Sequence, residues 1–341
     1  MRSIKNVFWN PEEGRLRALW RLIVQLLIFL PLLLILGLGA GAIGIGWLVL
    51  VGSISPDQLT DLGQVQRLVV ANPVINLLSI LSAALAMTLS IWLAGRFIDR
   101  RRFSGFGFHL DRNWWLDFSF GLALGAVLML LTFLIQLAAG WVVVTGTLVV
   151  GEPGAGFLPA ILVPLAIFLT VGFYEELFSR GYQLQNLAEG LGALGPRGAI
   201  LVATLLSSAV FGVLHALNPN ATLLSTFNLV IAGIFLAVGY LLTGELAIPI
   251  GLHITWNFFQ GNVFGFPVSG TGFTSATFIA IEQQGPDLWT GGAFGPEGGL
   301  LGLFIIALGI LLTVLWIRRR RGEARLHLPL AESPVRREEA A

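Results

Sequence analysis

The amino-acid sequence predicts an all-α fold, a polytopic membrane bundle of about eight transmembrane helices. Composition is the first reason, because 55% of the 341 residues are hydrophobic, only 11% are charged, and the mean hydropathy is +0.83. A chain this apolar is typical of a bilayer protein rather than of a soluble domain. The length of its apolar runs and the placement of its arginines are the second and third reasons.

Each transmembrane helix needs about 20 predominantly apolar residues. By that measure, the bundle occupies residues 22–317, and a core at about 157–266 holds the polar residues discussed below. A basic arm, 1–21, precedes the bundle, and a basic tail, 318–341, follows it, with a short polar composition that predicts disorder. The predicted spans are 22–50, 70–95, 115–145, 157–187, 197–217, 222–243, 246–266 and 299–317.

Two features between and within the spans carry structural predictions. Glycines four residues apart, Gly37 with Gly41 and Gly121 with Gly125, predict close helix packing. A stretch rich in Gly, Pro and Thr, 267–298, is interpreted as a flexible connector, with a lid over a cavity as the alternative.

The arginines predict the orientation. Basic residues favour the cytoplasmic side of a membrane, and they concentrate in the arm, in the connection after span two, and in the tail. We therefore predict a multi-pass protein of a prokaryotic plasma membrane, with both termini cytoplasmic. The basic residues include Arg2, Arg15, Arg21, Arg96, Arg100–Arg102, Arg318–Arg321, Arg336 and Arg337, and the opposite side carries Asp57, Asp61, Glu152, Glu282, Asp287 and Glu297.

Few ionisable side chains fall within the spans, and such residues are candidates for function because charge is costly in a bilayer. Glu175, Glu176 and Arg180 lie in span four, His215 in span five, and His253 in span seven. Residues four apart share a helix face, so Glu176 can neutralise Arg180. By the same spacing, Phe211 precedes His215 by one turn, and Asn257 follows His253.

These side chains are the parts needed to activate water. Pairing of Glu176 with Arg180 leaves Glu175 available as a general base. The sequence has no cysteine, so a metal would need other donors, and His215 and His253 with Glu175 are candidate ligands of a divalent ion such as zinc. Asn257 could donate a hydrogen bond to a developing oxyanion.

The site requires Glu175, His215 and His253 at one depth in the membrane. A span four that ended at Arg180 would leave Glu175 too far from His215. We therefore predict that this helix continues to about Leu187, without a break at Phe178–Arg180.

Three segments match the motifs of one protein family, in the same order along the chain. EELFSR matches Glu-Glu-x-x-x-Arg, FGVLH matches Phe-x-x-x-His, and HITWN matches His-x-x-x-Asn. This set resembles the CPBP intramembrane proteases, which include the type II CAAX prenyl endopeptidases and the bacterial Abi proteins. The similarity covers roughly Pro159 to Phe264.

The resemblance implies a membrane metalloendopeptidase. Glu175 would activate the attacking water with His215 beside it. His253 and Asn257 would stabilise the oxyanion or help to hold a metal, and Glu176 and Arg180 would support them.

The predicted partners are the lipid bilayer and a peptide or membrane-protein substrate, prenylated or not, and no nucleic-acid partner is predicted. Two alternative functions remain open at this point. One is a proton-coupled transporter in which Glu175 and Glu176 carry protons. The other is a non-catalytic immunity or scaffold protein of the same fold.

Overall fold

The computed structural model of the chain describes residues 5–151, 154–272 and 276–334. Within these residues, eight helices have 12 residues or more, and we label them α1 to α8 in chain order. Glu152, Arg2, Arg336 and Arg337, which entered the orientation prediction, lie outside the described residues. The helices are α1 Ala18–Leu50, α2 Pro73–Ala94, α3 Arg112–Ala138, α4 Phe157–Glu176, α5 Gly195–His215, α6 Leu223–Thr243, α7 Ala247–Phe258 and α8 Leu300–Arg321.

Seven of these helices, in the part of the chain that is described, are long and apolar enough to cross a membrane. The exception is α7, which has 12 residues and continues only as a wider π-helical turn over Phe259–Val263. The prediction of an all-α polytopic bundle is therefore confirmed, and the chain is an integral multi-pass membrane protein.

Helix α4 does not end at its glutamates. It passes into a π-helical stretch, Leu177–Leu184, and then into a further α-helical turn, Gln185–Gly190. Phe157–Gly190 thus forms one continuous helix of 34 residues. The predicted extension past Arg180 is confirmed, and Glu175 lies well inside this helix.

Close packing of α7 against α3 fixes the position of the candidate site. A Cβ atom at Gly121 would lie 2.5 Å from the Ile248 carbonyl oxygen, and one at Gly125 would lie 2.6 Å from that of Leu252. Only glycine permits this approach, so the predicted packing role of Gly121 and Gly125 is confirmed. The same prediction is wrong for Gly37 and Gly41, because nothing described lies within 4 Å of an added Cβ there.

An antiparallel ribbon replaces part of what was predicted as span three and as a flexible connector. Strand Val142–Val150 pairs with strand Ala276–Gln283, and the register shifts between Val144 and Gly146. Span three was predicted to reach residue 145, but α3 ends at Ala138. The reason is the run of Val and Thr in WVVVTGTLVV, because β-branched residues favour strands over helix interiors.

The remainder of 267–298 is also ordered. Val268 and Thr271 exchange two backbone hydrogen bonds of 2.9 Å, which close a tight turn. Phe294 and Glu297 are buried, and the backbone N–H of Gly270 donates to the Phe294 carbonyl over 2.8 Å. The flexible-connector interpretation is therefore wrong for the described part of the stretch, because its polar backbone groups and apolar side chains are packed against the bundle.

The described parts of the arm and of the tail are both ordered. In the arm, two-residue strands Trp9–Asn10 and Arg15–Leu16 pair with each other. In the tail, the backbone N–H of His327 donates to the Leu241 carbonyl over 2.8 Å, and Leu330 is buried in an apolar cluster. The structure differs from the expected disordered tail over residues 322–334, because the tail contains apolar residues that bury there. Residues 335–341 lie outside the described residues.

Candidate functional site

One cavity of about 170 Å³ lies between α4, α5, α6 and α7. Its polar lining includes all four residues predicted to be catalytic: Glu175 from α4, His215 from α5, and His253 and Asn257 from α7. Apolar residues such as Phe168, Leu229, Phe235 and Trp256 form most of the remaining wall. The three motif segments, distant in sequence, thus share one space.

Glu175 combines burial with an unsatisfied oxygen. Its side chain is 22% exposed, and its Oε2 is buried without a hydrogen-bond partner. The Tyr174 hydroxyl donates to Oε1 over 3.4 Å. Oε2 lies 3.9 Å from Nε2 of His253, which is too long for a direct hydrogen bond.

Glu176, the adjacent residue, is held through its Oε1, while its Oε2 is buried without a hydrogen-bond partner. Its Oε1 accepts a 2.7 Å hydrogen bond from His253 Nδ1 and a 3.0 Å bond from Arg180 Nη1. The other end of the guanidinium donates to the Gly233 carbonyl on α6 over 2.8 Å. Because Nδ1 of His253 donates to Glu176, its Nε2 is directed to Glu175.

Phe211 forms a wall between these groups and His215. The Arg180 guanidinium lies 4.7 Å from the centre of the Phe211 ring. The imidazoles of His215 and His253 have ring centres 4.6 Å and 6.2 Å from it. His215 Nδ1 donates to the Phe211 carbonyl over 2.7 Å, so its Nε2 is the nitrogen available for chemistry.

The predicted metal ligands can be compared with the geometry that an ion requires. A catalytic zinc usually has three protein ligands and a water. Among the described residues, no group of three His, Cys, Asp or Glu side chains lies close enough to hold an ion. Glu175 and His253 approach each other, but the set with His215 is not assembled around one point. The donor set does not fit a three-ligand centre here, and zinc stays a prediction.

Sequence reasoning missed four polar residues of the cavity lining. Asn218 follows α5, Ser269 and Thr271 belong to the tight turn, and Glu297 precedes α8. The composition of 267–298 suggested a loop, and Glu297 was counted only as an acid of the opposite side. The lid alternative offered for that stretch was the signal that could have found these residues.

The central segment of the chain is similar to a known protein family. Residues 157–259 match the family model described as Type II CAAX prenyl endopeptidase Rce1-like. The match confirms the resemblance predicted from the three motifs. The chain is also 29% identical over 258 residues to the uncharacterized protein YyaK of Bacillus subtilis (strain 168), an alignment that covers 74% of this chain and 80% of the relative. No solved structure matches the chain.

Proposed function

We propose that this chain, whose residues 157–259 carry an Rce1-like CAAX prenyl endopeptidase domain, is an intramembrane endopeptidase that hydrolyses a peptide bond with a water activated by Glu175. One observation carries the proposal. Glu175, whose Oε2 has no hydrogen-bond partner, lines a cavity that His215, His253 and Asn257 also line. A carboxylate without a partner, beside imidazole and amide groups, is suited to accept a proton from water.

The first step follows from the position of Glu175. A water held between the Glu175 carboxylate and the His253 ring gives a proton to that carboxylate as the water oxygen attacks the carbonyl carbon of the substrate. When the C–N bond of the resulting tetrahedral intermediate breaks, the same proton goes to the departing amine. Each turnover then returns Glu175 to its starting charge.

The surrounding residues would position and stabilise these groups. Glu176, held by Arg180, fixes the ring of His253 and the proton on its Nδ1. Asn257 is the candidate donor to the oxyanion. Loss of one such donor typically lowers the rate by about 10²–10³-fold. Nε2 of a neutral His215, whose Nδ1 donates to the Phe211 carbonyl, can accept a hydrogen bond from the attacking water.

The predicted divalent ion enters no step of this mechanism. If bound, zinc would lower the pKa of a bound water and polarise the carbonyl. Metal content of the purified protein, measured by mass spectrometry beside His253→Ala, tests the prediction. A stoichiometric ion that His253→Ala loses would support it, and a metal-free protein that still cleaves would reject it.

The substrate and orientation are part of the proposal. The mostly apolar cavity suits an apolar peptide or membrane-protein segment, with or without a lipid modification. We propose that both termini lie in the cytoplasm of a prokaryotic cell, because basic side chains concentrate at that end.

Cleavage by the purified protein in lipid vesicles tests the proposal. Glu175→Gln and His215→Ala should each abolish release of a product from a labelled membrane peptide. The matched controls are Glu323→Gln and His109→Ala, exposed side chains away from the cavity, which should cleave as the wild type does. Unchanged cleavage in Glu175→Gln would reject the mechanism. An inert wild type would favour the scaffold, and proton-coupled flux would favour the transporter.

A further inference from the structure

A second buried carboxylate lines the same cavity as Glu175. Glu297 lies in the short helical turn Pro296–Gly298, just before α8, and is 4% exposed. It falls outside the segment matched by the family model, 157–259. The mechanism proposed above does not use it.

Only neutral groups surround Glu297 in the described residues. Its Oε1 accepts a 2.5 Å bond from the Ser269 backbone N–H and a 2.7 Å bond from the Ser269 hydroxyl. Its Oε2 is buried without a partner in hydrogen-bonding geometry. Burial raises the pKa of Glu297, and the nearby side chains of Gln260 and Trp256 only partly offset this effect.

The charge of the cavity is therefore unbalanced. Its described lining contains two glutamates and no lysine or arginine. Arg180, which lies behind Phe211, already binds Glu176 and the Gly233 carbonyl. A buried carboxylate is costly unless a cation pairs with it, and nothing described within the cavity supplies one to Glu297.

Hydrogen bonds from two other segments hold the turn beside Glu297. Asn218 donates to the Ser269 carbonyl over 2.9 Å, and the N–H of Gly270 donates to the Phe294 carbonyl over 2.8 Å. Ser269 has φ +47° and Gly270 has φ +79°, the left-handed conformations of a type I′ turn. A carboxylate held by such a turn is already oriented before a ligand arrives, which favours binding.

We propose that Glu297 forms a specificity subsite that binds a positively charged lysine or arginine side chain of the peptide substrate. The inference rests on the proposed function, since it assigns a substrate feature to the same cavity. An incoming ammonium or guanidinium would satisfy Oε2 and balance the charge. A peptide with an acidic group at that position would be repelled.

Binding to a variant that cannot cleave tests the subsite apart from the chemistry. The probes are three fluorescein-labelled decapeptides of leucine and alanine, identical except for one central lysine, norleucine or glutamate. Their dissociation constants are measured by anisotropy with the full chain carrying Glu175→Gln in lipid vesicles. We expect the lysine peptide to bind about 10- to 100-fold more tightly than the norleucine peptide, and the glutamate peptide most weakly.

Variants of Glu297 complete the experiment. Adding Glu297→Gln should remove the lysine preference and leave the norleucine peptide unchanged, because the amide oxygen still accepts from Ser269. Glu297→Asp keeps the charge and should retain the preference. Glu282→Gln, an exposed acid of the ribbon, should change nothing.

Three results would overturn the subsite. The first is equal affinity for the lysine and norleucine peptides. The second is a preference for lysine that survives Glu297→Gln. The third is that Glu297→Gln weakens the binding of all three peptides equally while its melting temperature is unchanged. Cleavage by the wild-type chain is scored separately. If the chain prefers the lysine peptide but does not cleave, the subsite stands and the peptidase function is rejected. If the chain cleaves but shows no preference for lysine, the peptidase function stands and the subsite is rejected.

Discussion

The helix Phe157–Gly190 carries three carboxylate groups, and two of them, Glu175 and Glu189, lie in opposite surroundings. Near its far end, Glu189 binds three arginines: Arg15 over 2.7 Å, Arg21 over 2.8 Å, and Arg101 in a third, short contact. Both of its oxygens are paired. Midway along the helix, Glu175 has an oxygen with no partner, and the arginine nearest to it is bound to Glu176.

The difference separates a structural clamp from a candidate reaction centre. The Glu189 cluster joins three segments of the chain, the arm, the connection after α2 and the end of the long helix, and Glu13 and Asp99 add negative charge beside Arg15 and Arg21. Buried ion pairs of this kind hold elements together but offer no free group to a substrate. Around Glu175, a cavity takes the place of a second cation, so the carboxylate keeps an unpaired oxygen at a cost in stability.

The largest effect expected from this contrast is on activity. Glu175→Gln should lower the rate of cleavage by at least about 10²–10⁴-fold, because the amide cannot accept a proton from water. The melting temperature should stay the same or rise, since a charged oxygen without a partner has been removed. Single-turnover cleavage and thermal unfolding in detergent measure the two effects. A cleavage rate of Glu175→Gln within tenfold of the wild-type rate would contradict the difference drawn between Glu175 and Glu189.

Glu189→Gln should have the reverse profile. Three arginines would lose their common anion, and breaking a buried pair costs about 3–5 kcal/mol. The melting temperature should fall sharply, while the cleavage rate per folded molecule should stay near that of the wild type. Glu323→Gln is the control, because its pair with Arg325 is exposed and such pairs contribute about 0.2–1 kcal/mol.

Two asparagines sharpen the comparison further. Asn257→Ala should lower kcat by about 10²–10³-fold, the usual loss for an oxyanion donor, with an unchanged melting temperature. Asn228 donates to the Gly299 carbonyl over 2.9 Å and joins α6 to the start of α8. Asn228→Ala should instead cost about 1–3 kcal/mol of stability and spare kcat. If both substitutions lowered kcat equally, Asn257 would not be the donor to the oxyanion.

The smallest effect expected is a pH dependence at Glu297. Burial raises its pKa, so the folded chain holds this proton more tightly than the unfolded chain does. The resulting stabilisation is complete below the unfolded pKa and is lost as pH rises through the folded pKa. From about pH 5 to 8, the wild type should therefore lose thermal stability relative to Glu297→Gln. A constant difference between the two melting temperatures would show that the raised pKa is absent.

Hydropathy predicted the helices because a bilayer requires long, apolar, internally hydrogen-bonded segments. It failed where residues apolar enough for a span form a strand, as in Val142–Val150. It also treated arginines as solvated topological signals. Arg15 and Arg21 are instead buried against Glu189, a pairing across more than 160 positions that no local pattern reveals.

The motif residues were predictable because their chemistry is costly in a membrane and their spacing is helical. Charged residues are rare within an apolar run, which is why the sequence alone pointed to Glu175, Glu176 and Arg180. Nothing in the sequence sets Ser269 and Glu297 apart, since they lie in a polar, glycine-rich stretch where serine and glutamate are common. Their place at the cavity depends on how that stretch folds back, which only the structure reveals.

The π-helical stretch Leu177–Leu184 separates the two carboxylate regions and sets their relative rotation. A π-helical turn contains more residues than an α-helical one, so removing one residue between Gly181 and Leu184 would let the stretch rewind as an ordinary α-helix. Because the π-helical stretch holds the extra residue, such a deletion would be absorbed where it occurs, and the helix on either side would keep its rotation. The same deletion in an α-helical part would instead turn everything after it by about 100° and carry Glu189 away from its arginines. The stretch should consequently tolerate the loss of one residue better than the α-helical parts beside it.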